Sequence, residues 1–182
     1  MMYWKKIVIV LFCMFLFILK VFSQPQEYSV KAVFIERFTQ FIDWPKEVLS
    51  ETAPPFFIIG VIGENPFGNE LENLYNSKLI KNKNVKILYL TSASEIDLCH
   101  VLFISSSKKN EILSILNLTS FKPILTIGDT TGFCEKGVLI NFFVENSKIR
   151  FAINNTAFQN AGLTVSYHLL KYAKVISNKG NK

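Results

Sequence analysis

GVLINFFVENSKIRFAINNTAFQNAGLTVSYHLLKYAKVI, residues 137–176, carries the clearest long-range pattern in the chain. Val138, Ile140, Phe142 and Val144 alternate with Leu139, Asn141 and Phe143, and Ile149, Phe151 and Ile153 alternate with Arg150 and Ala152. Period-two alternation of this kind predicts two half-buried strands. If Asn146 and Ser147 form a two-residue turn, Glu145 faces Lys148, Val144 faces Ile149, Phe142 faces Phe151 and Ile140 faces Ile153. A slip of one residue would turn one strand's apolar side chains to the wrong face, so the register is well specified. Asn-Ser is a weaker turn signal than Asn-Gly, and a longer turn stays open.

Working outward, Asn154, Asn155 and Thr156 offer capping groups for a helix from Ala157, with Gly162, Ser166, Leu169, Leu170, Ala173 and Ile176 on one face. Upstream, four short apolar runs predict strands at Phe56 to Ile62, Val85 to Leu90, Val101 to Ile104 and Ile124 to Ile127. Helical segments fall between them: about Asn69 to Tyr75, a short turn or helix at Ser92 to Ile96, and Lys109 to Leu116 with Ile112, Leu113, Ile115 and Leu116 inward. A longer helix is expected from Tyr28 to Ile42, with Val30, Val33, Phe34, Phe38, Phe41 and Ile42 facing the sheet or a partner and Lys31, Glu36, Arg37 and Gln40 opposite. Trp44-Pro45 stops it. Strand and helix alternating in this way predict an α/β fold, an open, mainly parallel sheet with helices on both faces, and the antiparallel hairpin at one edge.

The chain has 182 residues, 49% of them apolar and 19% charged, enough for one ordered domain. Lys5 and Lys6, the apolar run Ile7 to Leu19 and small Ser23 form a three-part export signal over residues 1–23, cleaved before Gln24, so that 24–182 make a single domain in the periplasm. The formal charge is +6; three of the 20 basic residues lie in that signal, leaving 17 against 14 acidic groups, or +3. So small and scattered an excess argues against a nucleic-acid partner.

Chemistry-bearing residues are sparse. The two histidines, His100 and His168, form no metal or catalytic spacing, and neither a P-loop nor a nucleophile elbow is present. No catalytic residue, metal or cofactor is therefore assigned. Asp129, at the C-terminal end of a strand, is the best lone acid-base candidate. Ligands of open parallel sheets bind beyond the strands' C-terminal ends, which here carry Glu64, Asn65, Ser105, Ser106, Asp129 and Thr130. These could hold a small polar ligand, or serve only as turn formers. Cys99 and Cys134 fall at opposite ends of neighbouring strands, about 17 Å apart, too far for a disulfide.

Several stretches together resemble the YfiR-like family of exported bacterial proteins. They are Val30 to Phe34 with Phe38, Phe41, Trp44 and Pro45; Gly63 to Phe67; Cys99 to Ser105; Ile124 to Asp129; and the opening stretch, through Phe142, Ile149, Arg150, Phe151, Asn154, Gly162, Leu169 and Leu170. The resemblance implies a regulator rather than an enzyme. It implies a partner in an inner-membrane sensor, a diguanylate cyclase or a sensor kinase, whose output, and through it cyclic-di-GMP and biofilm formation, it restrains. A homodimer and a small polar ligand are further partner expectations. In the family, a disulfide joins the position of Cys134 to a cysteine a few residues later, but residues 135–182 contain none. Cys99 then reads as a small buried apolar residue, and Cys134 as free or paired between chains.

Overall fold

The computed structural model describes residues 24–50 and 53–176, so the expected export signal lies outside the described residues. The chain runs α1 (Gln24–Phe41), β1 (Ile42–Asp43), β2 (Phe56–Ile62), α2 (Glu70–Tyr75), β3 (Leu79–Ile80), β4 (Lys83–Leu90), β5 (Val101–Ile104), α3 (Ile112–Thr119), β6 (Leu125–Gly128), α4 (Phe133–Lys136), β7 (Ile140–Glu145), β8 (Lys148–Asn154), α5 (Asn155–Asn160), β9 (Thr164–Val165), α6 (Tyr167–Leu170) and β10 (Lys174–Ile176). An eight-stranded sheet has the order β10-β8-β7-β6-β5-β2-β4-β3, and β1 pairs with β9 in a separate antiparallel ribbon. The centre, β4-β2-β5-β6-β7, is parallel, as crossovers through helices and 3-10 turns require.

The hairpin has the expected register throughout, from Glu145 opposite Lys148 to Ile140 opposite Ile153. Its turn is two residues long, with Asn146 and Ser147 both left-handed at φ 50° and 58°. That geometry matches the twist of the flanking strands, and Asn tolerates it better than most residues. The hairpin lies toward one edge of the sheet, with β10 outermost and parallel to β8.

Alternation within each strand divides the core. Phe57, Ile59 and Val61 of β2 join Val101, Phe103, Ile127, Phe142 and Phe151 in the larger cluster, under Ile35 and Phe38 of α1 and Ile42 of β1. Ile58 and Ile62 join Leu102, Ile104, Ile112, Ile115 and Phe133 on the opposite face. Strands β5 and β6 are buried at every position; β5 is apolar throughout, and β6 admits one polar residue, Thr126, whose hydroxyl accepts the Leu139 N–H.

Three expectations are corrected. The buried row of α1 is Lys31, Ile35 and Phe38, continued by Ile42 of β1, whereas Val30, Val33 and Phe41 are exposed. The helix is thus rotated about its axis relative to the apolar stripe, and Lys31 points inward. In α3 Leu113 is 61% exposed, and Thr119 takes a place in the buried face. The C-terminal segment is not one helix. α5 ends after one and a half turns because Gly162 adopts φ 66°, with its N–H and that of Leu163 turned back to Gln159 and Phe158 carbonyls. Ser166 then caps the separate short α6 by accepting from the His168 N–H, and the chain leaves as β10. Gly162, Ser166 and Leu169 therefore share a spacing but not a helix face.

Candidate functional site

Asp129 leaves β6 directly beneath α1, and there it meets the inward Lys31. The Lys31 ammonium lies 2.7 Å from Asp129 Oδ2 and 2.6 Å from Glu27 Oε1, one helical turn earlier. Tyr28 donates its hydroxyl to the same Asp129 oxygen at 2.8 Å and presents its ring face 4.2 Å from the Lys31 nitrogen. Lys31 and Asp129 side chains are 5% and 7% exposed. Burial, with the adjacent carboxylate second, holds the Tyr28 phenol well above its usual range. A carboxylate that accepts two internal donors is occupied as a hydrogen-bonding group, so the cluster clamps α1 to the sheet edge. Lys31, Tyr28 and Glu27 are additions to the residues expected from sequence. The signal was the spacing Lys31-Ile35-Phe38-Ile42, a four-three-four row whose first member is charged.

The other crevice residues engage their own loops. Asn65 accepts from the Phe67 N–H and donates to the Gly68 carbonyl. The Ser105 hydroxyl, buried, accepts from Ser107, and Ser107 in turn accepts from the Glu64 N–H. Ser106 opens a 3-10 turn, and the Thr130 carbonyl accepts from the Asn141 amide. The structure groups Glu64 with Ser105, while Asp129 faces α1. Among the described residues, no three His, Cys, Asp or Glu side chains gather as a metal site.

Of the motif residues, Phe38, Trp44, Cys99, Cys134 and Phe151 are buried, whereas Pro45 is half-buried and Gly162 exposed. Phe38 is fully buried, Trp44 packs edge-on to Phe57 at 5.3 Å, and Pro45 precedes the 3-10 turn Lys46–Leu49. Cys99 and Cys134 form no bridge with each other, and both are buried. Burial pushes both thiols up to about 12, with Glu95 beside Cys99 and Glu135 beside Cys134 acting in the same direction. Cys134 is not in an open loop but within α4, where only 1% of it is accessible. Pairing between chains would require this helix to open. His100 stacks on Phe57 and accepts the Ile58 N–H at Nδ1. Burial, with Lys83 second, keeps the imidazole below its usual pKa.

The rotation of α1 leaves an apolar groove between this helix and the hairpin tip. Gln26, Glu27, Val30, Phe34, Val144, Ser147, Lys148 and Ile149 line about 540 Å³. Phe34 forms part of the floor, in ring contact with Phe38, Phe142 and Phe151. Val30 and Val144 form the rim, 40% and 62% exposed. Glu27 and Lys148 place opposite charges at its border. Such a surface can take a helix or strand of a partner by its apolar side, with the charges fixing direction.

Among the described residues, no helix is long and apolar enough to cross a membrane. No curated protein matches the chain. Among solved structures, the ABC domain in complex with L-Trp from Streptococcus pneumonia is similar in fold, with a TM-score of 0.50 and 14% identity over 76% of this chain and 60% of that one. A conserved domain protein from Vibrio cholerae O1 biovar El Tor gives a TM-score of 0.46 and 15% identity over 72% and 58%. The chain thus spans about 60% of the length of these solved chains. Neither comparison speaks to activity. The sequence profile of one family matches residues 28–174, from Tyr28 beside Asp129 to the first residue of β10, and so includes the clamp apart from Glu27, the hairpin and most of the groove. The chain belongs to the YfiR/HmsC-like family.

Proposed function

We propose that this chain is a periplasmic regulatory binding protein that restrains a membrane-bound signalling protein, of the diguanylate cyclase or sensor kinase class. The family match over residues 28–174 carries this reading. The groove between α1 and the hairpin supplies a contact surface of suitable chemistry, with exposed Val30 and Val144 over an aromatic floor. A binding protein that prefers one conformation of its partner shifts that partner's equilibrium by its difference in affinity, and needs no catalytic group. The test is co-purification of the tagged chain from membranes, followed by Val30→Asp and Val144→Asp. Both residues are exposed, so the fold is expected to survive. Each charge placed in an apolar contact is expected to weaken capture on the order of tenfold. Failure to enrich any inner-membrane sensor would overturn the reading. Capture undiminished in both variants would leave the regulator but move its contact surface elsewhere.

A further inference from the structure

The hairpin has a second face, opposite the groove. Strand alternation and the observed register place Phe143 and Glu145 of β7, Arg150 and Ala152 of β8 and Lys174 of β10 on it together. Lys171 and Tyr172, just before β10, join Phe143, Arg150 and Lys174 around one shallow recess of about 260 Å³. Three cations of the recess thus meet one carboxylate, Glu145, whose cross-strand partner on the same face is a further cation, Lys148. Among the described residues, Arg150, Lys171 and Lys174 make no ion pair. Tyr172 is 70% exposed, and the Lys174 ammonium lies 6.0 Å from the Phe143 ring centroid.

Cations at a sheet edge also discourage pairing with other strands, and Lys174 on the outermost strand fits that role. Strand protection does not account for Lys171 and Tyr172, which precede the strand and enlarge the same patch. Long cationic side chains around partly exposed aromatic rings, on a shallow surface, are the combination that suits the boundary between lipid headgroups and hydrocarbon. A protein partner would need a more enclosed apolar centre than this face offers.

We infer that the outer face of β7, β8 and β10 is a contact surface for a membrane bearing anionic phospholipids. Arg150, Lys171 and Lys174 meet the headgroup phosphates, and Tyr172 sits at the headgroup level. The groove on the opposite face of the same hairpin then stays open to a protein partner while the membrane is bound. This inference stands apart from the identity of that partner, since its residues are not those of the groove.

The experiment is vesicle co-sedimentation of the purified chain, comparing phosphatidylcholine vesicles with vesicles containing about one-third phosphatidylglycerol. Binding is expected to the anionic vesicles alone and to fall steeply as salt is raised. Reversal of Arg150, Lys171 and Lys174 to Glu should reduce it on the order of a hundredfold or more, with an unchanged thermal midpoint as the control for folding. Tyr172→Ala alone should weaken it without changing its salt dependence. Equal binding to both vesicle types, no binding to either, or undiminished binding of the triple variant would overturn the inference. So would retention on an acidic protein column with no affinity for anionic vesicles.

Discussion

Phe142 and Phe151 stand directly opposite each other across the hairpin, and Phe38 of α1 packs on both, at ring-centroid separations of 5.6 and 4.9 Å. Strand register and helix docking are therefore one contact. Replacing either hairpin phenylalanine with Ala should cost about 3 to 5 kcal/mol, read from urea unfolding. A cost below about 1 kcal/mol would mean that the aromatic layer does not hold the helix.

Lys31→Met should be at least as damaging, because it leaves the Asp129 carboxylate buried with its cation gone. The expected loss is about 3 to 5 kcal/mol. Adding Asp129→Asn should recover a large part of it, since the stranded charge is removed. A double-mutant cycle that gives simple additivity would show that the two groups act independently.

His100 predicts a pH dependence with a definite sign. Its folded-state pKa lies below the ordinary 6.5, chiefly through burial, with Lys83 adding to the effect. The unfolded chain then binds the proton more readily, so the contribution is full above about pH 6.5 and is lost as pH falls below it. Urea midpoints measured from about pH 7.5 to 5.5 should decline, and His100→Asn, which retains an acceptor for the Ile58 N–H without titrating, should flatten the decline. Parallel curves for both proteins would assign the loss to other groups.

Gly60 and Cys99 are expected to depend on each other. A Cβ at Gly60 would lie 2.5 Å from the Cys99 sulfur and 3.3 Å from the Leu90 and Leu102 side chains. Gly60→Ala should cost about 1 to 3 kcal/mol by overpacking, and less in a Cys99→Ala background. The same burial predicts that neither Cys99 nor Cys134 reacts with a thiol reagent in the folded chain, while both react in urea. Rapid labelling under native conditions would show that α4 opens.

What the sequence disclosed depended on whether the deciding contact was local. Residues 140–153 were legible to the individual pair because alternation and a two-residue turn leave one register. β5 was legible because burial on both faces leaves it apolar throughout, and β6 nearly so, with Thr126 its one polar residue. The orientation of α1 was not, since two stripes compete on it. Val30, Val33 and Phe41 make the more apolar one, yet Lys31 lies on the buried side because Asp129, 98 residues away, receives its charge. Nothing near Lys31 announces that partner. The C-terminal segment misled for the converse reason. Its apolar spacing fits a helix, but the positive φ at Gly162 and the cap at Ser166 divide it, and the ribbon with β1 requires an extended Thr164–Val165. Of the candidate site, the apolar lining could be read as amphipathic pattern, whereas the clamp behind it required the tertiary fold.

That ribbon also bears on how the chain is made. Ile42 pairs with Val165, and the Ser166 N–H reaches the Phe41 carbonyl at 2.8 Å, so the end of α1 is fastened by a segment more than a hundred residues further along the chain. A polypeptide that emerges N-terminus first therefore leaves Ile42 and the Phe41 carbonyl without these partners until residue 166 has followed. Contacts of such sequence separation close late. During that interval the end of α1 stays without its strand partner, and a chain stalled before Thr164 would lack the ribbon that fastens it.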